Sequence, residues 1–118
     1  MGRNQQKGTS FESLIANGLA TALGDDRIER RARAGALDKG DIAGVRLCGQ
    51  RVVLECKNEM AGKVFNLPEW VREAQREAVN DFALVGLVIH KRQGTQDPMR
   101  QWCSMTVEDL VAILKCCS

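Results

Sequence analysis

Three residues suited to phosphoryl chemistry sit where strand side chains belong. They are Asp41, Glu55 and Lys57, inside GDIAGVRLCGQRVVLECK, residues 40–57. Asp, Glu and Lys are all depleted in strands, so their presence in a strand-like stretch asks for a reason. Asp41–Leu47 and Arg51–Lys57 read as strands around Cys48-Gly49-Gln50, and a three-residue loop containing Gly predicts a hairpin. With that loop, Leu47 faces Arg51, Asp41 faces Lys57 and Ala43 faces Glu55. Opposed residues share a face and side chains alternate along a strand. All three charged groups then emerge on one side, while Val52, Leu54 and Cys56 turn to the core.

The diagonal from Asp41 to Glu55 is about 7 Å between backbones. Two carboxylates so placed can converge on one divalent cation at about 2.0–2.1 Å per oxygen bond. Hard oxygen ligands suit Mg²⁺ or Mn²⁺. Such an ion polarises a phosphoryl group and lowers the pKa of a bound water. Lys57, a compact cation, would hold or help deprotonate that water and neutralise charge in the transition state. The set points to metal-assisted hydrolysis of a phosphodiester. The competing reading is an Asp41–Lys57 cross-strand ion pair on a solvated face, worth about 1 kcal/mol or less. A one-residue slip of the loop would undo the convergence.

The elements that must position these groups follow from the rest of the chain. At 118 residues, 44% hydrophobic and 27% charged, one globular domain is expected: a loose N-terminus over 1–8 and a single domain over 9–118. Phe11, Leu14, Ile15, Gly18, Leu19 and Ala22 predict an amphipathic helix, opened by a Thr9–Glu12 capping box and closed by Gly24. A first strand is expected over Arg27–Ala32. A second helix covers Leu67–Asn80, capped by Asn66 with Pro68 in its first turn; its apolar stripe is Trp70, Val71, Ala74 and Ala78. The run Phe82–His90 predicts a central strand buried on both faces. A short strand at Gln101–Met105 and a last helix opened by Thr106 and Asp109 follow, with Val107, Leu110, Val111 and Leu114 facing inward. The order is α-β-β-β-α-β-β-α, an α/β fold with a central mixed sheet flanked by helices.

Composition narrows the function classes. The longest apolar run, Phe82–Ile89, is too short to span a bilayer, so no membrane association is expected. No basic-then-apolar leader opens the sequence, which points to a cytoplasmic protein. Five cysteines, at 48, 56, 103, 116 and 117, form neither a disulfide framework nor a zinc spacing; reduced thiols with no disulfide partner are expected. Net charge is only +2, but Arg27, Arg30, Arg31, Arg33, Lys39, Arg46 and Arg51 face just three acids between residues 27 and 51. That stretch is either a solvated face or a phosphate-binding surface. His90, Trp70 and Trp102 read as rim or core residues, and no P-loop follows the glycines.

The pattern resembles the PD-(D/E)xK nuclease superfamily. "GDI" at 40–42 is similar to its Asp motif and "LECK" at 54–57 to its hydrophobic-E-x-K motif, with Gly40 where the superfamily often has proline. The resemblance, over residues 9 to 91, implies a restriction-endonuclease-like core. It implies Asp41, Glu55 and the Cys56 backbone carbonyl as ligands of Mg²⁺, for which Mn²⁺ would substitute, and Lys57 as catalytic lysine. It also matches Glu12 to an acidic metal-facing residue of the first helix, beside its capping-box reading, and Gln75 to a polar residue of the helix after ExK. The small size resembles archaeal-type Holliday junction resolvases and small virus-type replication-repair nucleases. That implies DNA recombination or repair, branched DNA as substrate, a homodimer, and a nucleoid-associated or virus-encoded protein. Arg27, Arg30, Arg31, Arg33 and Lys39 would track phosphates. A nickase, an exonuclease, a non-catalytic DNA-binding module on the same fold and a structural α/β protein with surface ion pairs are the alternatives.

Overall fold

The computed structural model describes residues 7–31, 40–59 and 65–116, with side chains from residue 11 onward. Its elements are α1 (Lys7–Leu23), β1 (Glu29–Arg30), β2 (Ile42–Ala43), β3 (Arg46–Leu47), β4 (Gln50–Lys57), α2 (Leu67–Asn80), β5 (Val85–His90), a 3-10 turn (Pro98–Arg100), β6 (Trp102–Ser104) and α3 (Val107–Cys116). β1 and β2 form a two-stranded ribbon. The main sheet runs β3-β4-β5-β6. β4 and β5 are parallel and the outer pairs antiparallel, so the sheet is mixed as expected.

Alternation along β4 and β5 serves two cores. Val52, Leu54, Val85 and Leu87 pack with Phe11, Ile15 and Ala16 of α1. Val88, on the opposite parity, packs with Trp70 and Ala74 of α2. α2 covers the expected residues because its start is doubly specified: the Asn66 side chain accepts from the Glu69 N–H, and Pro68 occupies the first turn. The helix lies so close to β5 that a Cβ on Gly86 would run into the Ala74 carbonyl. α1 ends at Gly24 (φ 62), with the Asp25 N–H donating to the Ala20 carbonyl.

Several expectations are corrected. α1 already includes residues 7 and 8, so Thr9 lies inside the helix and is not its cap. β1 is two residues long, paired Glu29 to Ala43 and Arg30 to Ile42, and the Arg31 N–H closes the ribbon in the same register by donating to the Asp41 carbonyl. The strand expected over Asp41–Leu47 is broken at Gly44 (φ 92), where a Cβ would strike the Arg27 carbonyl. The order therefore gains a strand, α-β-β-β-β-α-β-β-α. β5 begins at Val85 and not Phe82, whose positive φ of 52 and exposed ring end the α2 turn.

The hairpin register differs too. Leu47 pairs with Gln50 and Arg46 with Arg51, so the turn is the two residues Cys48-Gly49, both at positive φ (53 and 78). That is the signature of a type I′ turn. α3 is rolled relative to expectation. Val107, Leu110, Val111 and Leu114 are exposed, while Ala112 and Ile113 pack inward. Asp109 sets the roll: its carboxylate accepts from the Gly86 N–H of β5 at 3.2 Å, and Thr106 caps the helix by accepting from the Asp109 N–H. No helix among the described residues is long and apolar enough to cross a membrane.

The expectation of unpartnered thiols fails for two cysteines. Cys48, at the hairpin turn, is disulfide-bonded to Cys116, at the end of α3, across 68 residues of sequence; Cys56 and Cys103 are free. The bond fastens a helix that buries no residue completely. Closing a loop of that length is worth about 4 kcal/mol in the chain-entropy account. Dithiothreitol, or Cys48→Ser, is therefore expected to lower unfolding stability in urea by up to about 4 kcal/mol. Identical urea midpoints with and without reductant, or no 48–116 linked peptide on non-reducing mass mapping, would rule the crosslink out.

Candidate metal and catalytic site

The site grows from the C-terminal half of β4. Glu55 and Lys57 share the face that α2 covers, as their parity requires. Glu55 is 6% exposed. Lys57 Nζ donates to Glu73 Oε1 of α2 at 2.8 Å and lies 3.4 Å from Glu55 Oε2. A second helix residue, Glu77, points into the same space and is 1% exposed. Glu55, Glu73 and Glu77 each place a carboxylate oxygen within 4.8 Å of the others. Glu73 and Glu77 were not singled out in the sequence. Glu77 carried a signal: it lies seven residues after Trp70 and three after Ala74, inside the apolar stripe of α2.

Asp41 reaches the site by a different route from the one the hairpin arithmetic gives. Its N–H donates to the Leu54 carbonyl, and the Val52 N–H donates to the Val45 carbonyl. Five residues, Asp41 to Val45, thus lie opposite three on β4, Val52 to Leu54, a bulge opened by Gly44. Asp41 lies opposite Leu54 and not Lys57, and Ala43 pairs with Glu29 of β1. The Asp41 carboxylate comes in from the strand edge, where Oδ2 accepts from the Cys56 N–H at 2.7 Å. A strand residue's N–H and C=O project to the same side, so the Cys56 carbonyl leaves β4 on that edge also. Gly40, before it, has φ 95, a conformation closed to the proline that the superfamily often carries.

Glu12 of α1 belongs to this group. Burial raises its carboxyl above the ordinary value, the Asp41 charge raises it further, and Arg30, 3.8 Å away, opposes the shift. With Thr9 inside the helix, Glu12 has no capping role. Glu55 is pushed far above the carboxylate range by burial, by a hydrogen bond with Glu77 and by the charges of Asp41, Glu77 and Glu73. The hydrogen bond requires a proton held between the two acids; with both ionised, Glu55 Oε1 is buried and accepts nothing. Burial also pushes the Cys56 thiol up, with Asp41, Glu12 and Glu55 adding to it. For Lys57, burial acts downward but is outweighed by the Glu73 hydrogen bond and the charges of Glu55 and Glu73, which hold the ammonium above its usual range.

A divalent cation fits this donor set. Asp41, Glu55 and Glu12 are hard oxygen donors, the Asp41 charge helps raise the carboxyls of both Glu12 and Glu55, and one Glu55 oxygen is buried with no donor against it. The glutamates of α2 offer a second group of oxygens to the same ion chemistry. Of the remaining expected residues that are described, Arg30 touches this group through Glu12 and the others make contacts elsewhere. Gln75 donates to Thr106 Oγ1 at 3.2 Å, at the entry to α3. Arg27 pairs with Asp25, Arg30 with Glu12, and Arg31 with buried Asp81, which also holds Arg51 at 3.2 Å. Arg33 and Lys39 lie outside the described residues. His90 is buried, contacts Ser104 Oγ at 2.8 Å and packs its ring between Trp70 and Phe65. Burial lowers its pKa, as suits a neutral core imidazole.

Searches against protein-family models, curated proteins and solved structures found no match for this chain.

A buried acid with a raised pKa has a signature. The folded, metal-free protein keeps a proton on Glu55 that the unfolded chain, with its carboxyl near 4.5, has already released. The contribution is therefore greatest at low pH and is lost as pH rises above about 4.5. Glu55→Gln removes that loss, and we expect it to stabilise the metal-free protein at pH 8 by about 1–2 kcal/mol, several degrees in Tm. The gain should shrink towards pH 5. Mn²⁺ should raise the Tm of the wild type and not of Glu55→Gln. A variant less stable than wild type at pH 8 would contradict the buried-acid assignment.

Proposed function

We propose that this chain is a divalent-metal-dependent endonuclease on a restriction-endonuclease-like core, selective for branched DNA. The observation that carries the reading is the meeting of four groups at the end of β4. The Asp41 carboxylate lies on the Cys56 N–H, Glu55 is buried behind it, and Lys57 is a charged ammonium held between Glu55 and Glu73. Glu12 reaches the same centre from α1.

In this reading Asp41, Glu55, Glu12 and the Cys56 carbonyl hold the ion. When bound, Mg²⁺ or Mn²⁺ supplies Lewis-acid polarisation of the phosphoryl oxygen and a more acidic water. Lys57 keeps its proton because two carboxylates flank it. Its work is then to orient the attacking water and to stabilise charge building on the phosphoryl oxygens, and not to act as base. The strand carries the lysine, and Glu73 fixes its direction, so little rearrangement is needed at the moment of reaction. A homodimer through the exposed apolar side of α3, formed by Val107, Leu110, Val111 and Leu114, would set two such centres against two strands.

A second reading has one observation in its favour. Arg27, Arg30 and Arg31 are each engaged by a carboxylate of the chain, and Lys57 is itself neutralised. A non-catalytic module would keep these pairs as structure alone. Cleavage of a labelled immobile four-way junction, beside the matching linear duplex, separates the two. Paired nicks on the junction, dependent on Mg²⁺ and absent in EDTA, are expected. Lys57→Ala should lower the rate roughly 10²–10³-fold with DNA affinity within about a factor of two. Equal cleavage by both proteins would dismiss the site, and binding without metal-dependent cleavage would favour the module.

A further inference from the structure

β5 and β6 are antiparallel neighbours that two residues could join, yet the chain uses residues 91–101. This loop is not slack. Lys91 Nζ donates to the Arg92 and Thr95 carbonyls at 2.7 and 2.6 Å. Gln101 accepts from the Arg92 N–H at 2.7 Å and donates to the carbonyls of Thr95 and Asp97. Asp97 caps the 3-10 turn by accepting from the Met99 N–H. The result is a fixed polar cleft of about 270 Å³ lined by Arg92, Gln93, Gly94, Thr95 and Arg100.

Beside the cleft stands Trp102, 49% exposed, with the Arg92 guanidinium 4.7 Å from its ring centroid. Its position relative to the candidate site follows from the sheet. Lys57 pairs with His90, and His90 with Trp102, so the three form one row across three strands on the α2 face. The Lys91 N–H donates to the Lys57 carbonyl, which joins the loop directly to the end of β4. Two strand spacings put Trp102 about 10 Å from Lys57, the length of two to three stacked nucleotides at about 3.4 Å each. Buried His90 fills the middle of the row beneath Phe65 and Trp70; at one end Trp102 is half exposed, and at the other the Lys57 ammonium, 19% exposed, lies against Glu55 and Glu73.

We propose that Trp102 and the loop 91–101 form a nucleic-acid strand platform contiguous with the candidate site. Trp102, extended by the Arg92 guanidinium plane, stacks an unpaired base two or three nucleotides from the phosphate at Lys57, and Arg92 and Arg100 take a backbone phosphate in the cleft. Aromatic rings and guanidinium planes both accept base faces without regard to sequence. A base within a duplex has no free face to offer, so the platform favours DNA with a splayed or unpaired strand. The inference rests on the nuclease reading and names the substrate feature it would recognise.

The test is fluorescence-anisotropy titration in EDTA of a dye-labelled splayed-arm DNA and of its fully paired counterpart. Trp102→Ala should weaken binding to the splayed arm roughly tenfold and leave duplex binding unchanged, with Trp102→Phe restoring most of the loss. An abasic site placed two or three nucleotides from the branch should weaken the wild type by a similar factor and add nothing to Trp102→Ala. Arg100→Ala should reduce the salt slope of log Kd by about one. Equal splayed-arm affinity for wild type and Trp102→Ala overturns the platform while leaving the nuclease site intact. Failure of the wild type to bind either DNA overturns both.

Discussion

Strand β4 sends its even-numbered side chains into hydrocarbon and its odd-numbered ones towards α2, and the rest of the fold is built around that alternation. Val52 and Leu54 are claimed by α1. The opposite parity begins with buried Val53 and ends in Glu55 and Lys57. A strand can carry an acid and an ammonium only where the covering helix supplies matching groups, and α2 does so with Glu73 and Glu77 in the same stripe as Trp70 and Ala74. The parallel partner β5 holds β4 in register over its length. Polar side chains at the end of a fully paired strand are thereby fixed in direction by backbone hydrogen bonds.

The arrangement is electrostatically incomplete. Three carboxyls, those of Asp41, Glu73 and Glu77, crowd the Glu55 carboxyl against a single ammonium, Lys57, which meets only Glu55 and Glu73, and Glu12 is pushed up as well. Close packing of like charges is tolerated by retaining protons, which lowers the charge at the cost of leaving acids in their neutral form. A divalent cation is the other way to balance the same groups, and its binding must release what the acids hold. Stability and proton uptake are therefore two views of one cluster. The basic stretch before it is arranged differently: Arg27 meets Asp25, Arg30 meets Glu12, and Arg31 and Arg51 share Asp81.

Much of this was legible in the sequence, and the misses have physical causes. α2 was readable end to end because Asn66 and Pro68 mark its start and its period is sustained. The parity of Glu55, Lys57, Leu54 and Cys56 was readable because it depends only on β4. The Asp41 pairing was not, because Cys48 adopts a left-handed turn conformation more usual for Asn or Gly, which shifts the register by one, and a glycine bulge then shifts it further in the same direction, so that Asp41 lies opposite Leu54. Asp41 is found beside Cys56 only because its carboxylate reaches along the edge of β4 to the Cys56 N–H. Glu77 was passed over since a carboxylate in an apolar stripe is ordinarily read as polar surface. α3 carries two stripes of equal appeal, and the choice between them is made by Asp109 reaching a single β5 N–H that no pattern in the helix announces.

Gly86 and Ala74 meet backbone to backbone, with no side chain as spacer. The distance from α2 to the sheet is consequently a property of the main chain and not of residue volume. Elsewhere in a protein, drifting side-chain sizes let packed elements slide by fractions of an ångström over evolutionary time. Here that freedom is absent, and the acids of α2 stay at one fixed height above Glu55 and Lys57. Sequence change can therefore accumulate on the outer side of α2 without detuning the cluster, whereas the two smallest residues beneath it act as the gauge blocks that set its depth.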